Sequence, residues 1–179
     1  MIMMRITVIF IVNLFSLLAA AEEVYLEPSF FIQQQFTETP ETKYFWLTKE
    51  HKLKLTEITG HKPSKLRIKY WVVGQKSAWI LEEIGKEQLI TTGISVENGK
   101  IQALQVLIYR ESRGYEVRQN FFTEQYIGAS LDKSLDLDQT IDGITGATLS
   151  VRALNTMAKS ALYMHANAVT NEEQKTAAN

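Results

Sequence analysis

Four runs rich in β-branched and aromatic residues follow one another between Leu66 and Tyr109, each separated from the next by a few turn residues. They occupy 66–73, 77–84, 89–96 and 101–109. Gly74-Gln75-Lys76 reads as a turn, and Asn98-Gly99 is the dipeptide a type I′ hairpin favours. Connections this short cannot carry a crossover, so neighbouring runs must pair antiparallel as a meander. This constraint fixes the centre of the fold before any other residue is considered.

The remaining composition is that of an ordinary globular chain: 179 residues, 45% hydrophobic and 22% charged. That length suits one domain with a small appendage. A formal net charge of −1 gives no reason to expect a nucleic-acid partner. With no Cys, thiolate zinc sites, iron–sulfur clusters and Cys nucleophiles are excluded.

Before the meander, Met1 to Arg5 leads into an apolar run over 6–18, followed by Ala19-Ala20-Ala21. A charged start, a short apolar core and an Ala-x-Ala end predict a signal peptide over 1–21, cleaved between Ala21 and Glu22. A bilayer span needs about 20 apolar residues, which makes an uncleaved anchor the weaker reading. Export to the periplasm of a Gram-negative cell follows as an expectation. Residues 22–63 read as a mostly helical N-terminal segment, with Pro28 opening a first helix through Phe36. The spacing over 44–59 is neither helical nor alternating, and Gly60 to Ser64 ends the segment. The main domain is expected over 64–169. Val151, Leu154, Ala158, Ala161 and Leu162 mark a helix over 151–169, and 170–179 read as a disordered tail.

Few groups suggest chemistry. His51, His61 and His165 lie far apart and read as surface or packing residues. Ser130-Leu131-Asp132-Lys133 fits S-x-x-K without either companion motif of the penicillin-binding enzymes. The basic cluster Lys62, Lys65, Arg67 and Lys69 alternates with Ile68 and Tyr70 as a solvated strand face would.

One segment stands apart: Asp142-Gly143-Ile144-Thr145-Gly146-Ala147-Thr148-Leu149-Ser150. It feeds the N-terminus of the predicted helix. Gly143 and Gly146 permit unusual backbone angles and close approach. Thr145, Thr148 and Ser150 place hydroxyls around a first turn whose free N–H groups and dipole favour an anion, typically a phosphate. Simple N-capping by Thr145 or Thr148 is the plainer reading.

The pattern resembles the acceptor motif of the bacterial FMN-binding domain family, an aspartate ahead of (S/T)-(G/S)-A-T. Its relatives include the flavin-carrying subunits of the sodium-pumping NADH:quinone reductase and of the Rnf complex. The resemblance implies FMN joined through a phosphoester to Thr148, with Asp142, Thr145, Gly146 and Ala147 at the other motif positions. It also implies a flavin transferase that uses FAD and a divalent metal and releases AMP. Asp142 is suited to positioning that metal or enzyme, and equally to capping a turn. The family's E-T-P-G-L-G-like loop corresponds to Glu111-Ser112-Arg113-Gly114-Tyr115-Glu116, with Arg113 in place of Pro and Tyr115 in place of Leu. Through this loop the resemblance places Glu111, Gly114 and Tyr115 near the isoalloxazine ring. Phe122-Thr123-Glu124-Gln125-Tyr126-Ile127-Gly128 resembles the family's F-x-x-Q-F-x-G stretch. The whole resemblance spans about 66–165.

The expected molecule is therefore a single-domain α+β protein with an antiparallel sheet and flanking helices. It would carry covalent FMN and act as a periplasmic electron carrier rather than a stand-alone enzyme, exchanging electrons with a membrane-bound or periplasmic redox partner. Three rivals have distinct signatures. A flavin-dependent reductase acting on a small substrate would show a second ligand pocket and turnover. A non-flavin periplasmic binding module would stay colourless beside a transferase. Noncovalent FMN would leave on denaturation.

Overall fold

The computed structural model describes residues 23–176, so the expected signal peptide over 1–21 and its cleavage point lie outside the described residues. Six strands form one antiparallel sheet: β1 (Glu23–Val24), β2 (Glu41–Trp46), β3 (Arg67–Val73), β4 (Lys76–Ile84), β5 (Leu89–Glu97) and β6 (Lys100–Tyr109). Their order across the sheet is β1-β6-β5-β4-β3-β2. β3 to β6 are the four runs of the meander. At the β5–β6 turn, Asn98 has φ 52° and Gly99 φ 73°, the two positive values a type I′ hairpin requires.

The N-terminal segment differs from its helical reading. It holds two helices, α1 (Pro28–Gln35) and α2 (Lys49–Thr59), but residues 41–46 form β2. β2 pairs with β3 from Glu41↔Val72 to Trp46↔Arg67. The ambiguous spacing over 44–59 thus joined the end of an edge strand to a helix, two periods within one window. Thr48 Oγ1 caps α2 by accepting the His51 N–H at 3.2 Å. Phe45, Leu47, Leu55 and Ile58 are buried in the same core as the sheet centre, so this segment belongs to the domain rather than appending to it.

After β6 come a 3-10 turn (Tyr115–Arg118), a one-turn helix α3 (Asn120–Thr123) and a second 3-10 turn (Glu124–Tyr126). The long helix α4 (Thr148–Thr176) then packs across one sheet face, against β4, β5 and β6. It continues past residue 170, where a disordered tail was expected. Ala153, Ala158 and Ala161 let its backbone approach the sheet, while Leu154, Met157, Leu162 and Met164 fill the space. Each large side chain buried in this way contributes about 1.5–3 kcal/mol. Trp79, fully buried, stacks on Tyr70 at 4.6 Å in the same core.

His165 pins α4 to the sheet. Its Nε2 accepts the Gly99 N–H at 3.4 Å, so Nδ1 carries the proton and donates to Ser77 Oγ at 2.8 Å. Ser77 Oγ also accepts the Trp79 indole N–H at 2.8 Å. Burial pushes the His165 pKa down to about 4, so the ring is neutral at pH 7. The opposite sheet face is covered by α1 through Phe31, which rests where any Cβ on Gly93 would lie, 2.6 Å from its ring.

Candidate functional site

The segment 142–150 is shaped by backbone bonds. Ile144 carbonyl accepts the Ala147 N–H at 3.0 Å, closing a turn with Gly146 third at φ 84°. A type II turn demands that left-handed angle, which glycine adopts without strain. Ala147 carbonyl then accepts the Val151 N–H at 3.0 Å, which makes Ala147 the N-cap and Thr148 the first residue of α4. Alanine has no oxygen with which to cap. Among the described residues no side chain accepts from the N–H groups of Thr148, Leu149 or Ser150. Capping by Thr145 or Thr148 is therefore not how this turn is built; both threonines are exposed.

The stretch 122–128 supports that turn. Phe122 and Tyr126 are fully buried, and Tyr126 Oη donates to Asn155 Oδ1 on α4 at 2.6 Å. Gln125 Oε1 accepts the Asp142 N–H at 2.7 Å, and its carbonyl accepts from Gln139 Nε2. The Asp142 backbone is thereby fixed and the residue stays exposed.

Thr148 lines a cleft of about 490 Å³ between Lys86 and Glu87, the loop 111–113 and the helix start 146–150. Glu111 builds one wall. Its Oε1 accepts the N–H groups of Lys86, Glu87 and Gln88 at 2.5, 2.7 and 3.0 Å. Burial raises its pKa, but these three donors outweigh that and hold the carboxyl below its ordinary value. Gly85 makes room for it, since a Cβ there would meet Glu111 Oε1 at 2.8 Å. The charge of Glu111 is thus spent on the turn, and Lys86 Nζ pairs with Glu87 Oε1 at 3.2 Å, which leaves the Arg113 cation at the cleft together with the uncapped helix start. Such a set fits a phosphate monoester or diester.

Residues 85–163 match the family model of the FMN-binding domain. Over that stretch the chain carries an FMN-binding domain. No curated protein and no solved structure matches the chain. The matched stretch begins at the turn Glu111 binds, and it contains the loop, the motif and α4 as far as Tyr163.

Within this FMN-binding domain the other expected residues divide. Ser150 is buried; because Tyr109 Oη donates to the Arg113 carbonyl at 2.6 Å, Ser150 Oγ donates to Tyr109 Oη at 3.1 Å. That pair ties α4 to the loop floor. Gly114, at φ 79°, brings the loop against Ala147. Tyr115 faces elsewhere: it is 53% exposed, is not among the residues lining the cleft, and lies 5.5 Å from the Arg118 guanidinium, which covers Tyr25. Ser130 of the S-x-x-K string is bound to Asp138, through its N–H at 2.8 Å and its hydroxyl at 2.6 Å.

Sequence reasoning missed Gly85, Lys86 and Arg152 of the FMN-binding domain. Past Lys86 and Leu149 lies a wider groove of about 990 Å³, walled in part by Ile84, Leu89 and Arg152. The gap at 85–88 between two strand runs was the available signal. The groove itself joins residues from α2, β4 and α4, which no local pattern connects.

Proposed function

We propose that the domain carries FMN as a phosphoester on Thr148 Oγ1 and serves as an exported, periplasmic electron carrier. The observation that carries this reading is the uncapped start of α4, with an exposed Thr148 hydroxyl lining a cleft that Arg113 also lines. A Thr hydroxyl is a weak nucleophile, and among the described residues no side chain is hydrogen-bonded to that of Thr148, so a flavin transferase is the partner that would activate it. In that transfer the Thr148 Oγ1–phosphorus bond forms as the pyrophosphate bond of FAD breaks. AMP departs with the bridging oxygen, and the hydroxyl proton is lost.

The N–H groups of the first α4 turn, with Lys86 and Arg113, hold the phosphoester. Ile84, Leu89 and Leu149 offer apolar surface for a planar ring in the adjoining groove, and Arg152 offers a cation beside it. Bound flavin supplies one- and two-electron transfer, while the protein contributes orientation and electrostatics. The redox partner would be a membrane-bound or periplasmic protein.

The test is coexpression with a flavin transferase. Wild-type protein should be yellow after denaturation and heavier by one FMN less one water. Thr148→Val should carry no denaturation-resistant flavin, while Thr145→Val should still be labelled on long incubation. A yellow, denaturation-resistant Thr148→Val protein, or a colourless wild type beside an active transferase, would overturn the assignment.

A further inference from the structure

The sheet face opposite α4 is covered by α1 over β4 and β5, and β2 and β3 extend beyond it. The register Thr42↔Trp71, Tyr44↔Lys69 and Trp46↔Arg67 puts these six side chains on that face. Trp46 is 59% exposed and Tyr44 44%. The Arg67 guanidinium lies 4.1 Å from the Tyr44 ring centre and 5.2 Å from that of Trp46, and Lys69 Nζ lies 4.7 Å from that of Trp71. Neither cation has a carboxylate partner among the described residues. Alternation sends Glu41 and Lys43 to the other face, so this strip of β2 and β3 is aromatic and cationic without an acid.

Two large exposed rings thus lie beneath cations that no carboxylate among the described residues neutralises. From this juxtaposition we propose that the strip Tyr44–Trp46–Arg67–Lys69 docks the protein onto the surface of a bilayer containing anionic phospholipid. Trp and Tyr favour the headgroup region, where an apolar ring and a polar tip are both satisfied. Arg67 and Lys69 supply complementary charge to phosphate headgroups. Trp46 and Arg67 lie at the sheet end where β4 finishes at Ile84 and β5 begins at Leu89. The inference does not depend on the flavin, and it is read equally on colourless protein.

The experiment uses the protein as isolated from the producing cell, with vesicles of phosphatidylcholine alone or mixed equally with phosphatidylglycerol. The wild type should sediment with the anionic vesicles about tenfold more tightly than with neutral ones. High salt should abolish the difference. R67E/K69E should remove the preference, and brominated anionic lipid should quench the tryptophan emission of the wild type more strongly than that of W46F, which keeps Trp71 on the same face. R67Q/K69Q, which only deletes charge, should weaken anionic binding in the same direction. Circular dichroism confirms that each variant is folded. Equal binding to both vesicles, unchanged binding by both charge variants, or absence of binding to anionic vesicles would overturn the proposal. The last result is the one an acidic protein partner would give.

Discussion

Gly114 and Ala147 meet so closely that a Cβ on Gly114 would lie 3.0 Å from the Ala147 Cβ and 3.1 Å from Tyr109 Oη. The loop after β6 therefore reaches the start of α4 only because position 114 has no side chain, and its φ of 79° also favours glycine.

Gly114→Ala should cost about 1–3 kcal/mol, from left-handed strain and overpacking together. Urea unfolding measures it. Gly143→Ala is the matched control: its Cβ would enter open space at a negative or extended φ, and its cost should stay within about 0.5 kcal/mol. Equal losses in the two variants would remove the close approach from the account.

Glu111→Ala should free the turn at 86–88. Three charge-assisted bonds are lost, costing about 1.5–3 kcal/mol in all, and amide exchange at Lys86, Glu87 and Gln88 should accelerate. The folded-state pKa of Glu111 is lowered, so its contribution is present above the ordinary carboxylate value and is lost as pH falls below it. In wild-type protein the same three amides should therefore lose protection on acidification.

His165 predicts an acid-sensitive helix anchor. Burial lowers its pKa from the ordinary 6.5 to about 4, so the unfolded chain takes up a proton that the folded chain refuses. Stability should fall as pH drops from about 6.5 towards 4, by roughly 3 kcal/mol in total. Denaturant midpoints of wild type and His165→Gln, compared across that window, should show the variant with the shallower slope.

In flavin-loaded protein, Arg152→Met should lower the two-electron midpoint potential on the order of 30 mV, because a cation beside the ring favours the reduced anion. Tyr115→Ala should leave both spectrum and potential unchanged. The reverse result would move the ring from the groove beside Leu149 to the outer side of the loop.

The sequence by itself determined the meander and the motif. Both are local: β3 to β6 follow from runs and turns of two to four residues, and the turn before Thr148 follows from where Gly146 stands. It also carried the family through residues within the matched span 85–163. Only tertiary structure decided how residues distant in the chain share work. Glu111 had the right loop, but nothing local could say that its carboxylate would be occupied by amides 23 to 25 positions earlier. Tyr115 stood beside Gly114 in the chain, yet the 3-10 turn beginning there carries it toward Arg118 and away from the cleft. β2 was illegible for a related reason. An edge strand with one exposed face alternates weakly, and its identity rests on hydrogen bonds to β3 across a 20-residue gap. Periodicity records what a segment does with its own neighbours; pairing partners, carboxylate receptors and the face left uncovered by α1 are settled by long-range packing.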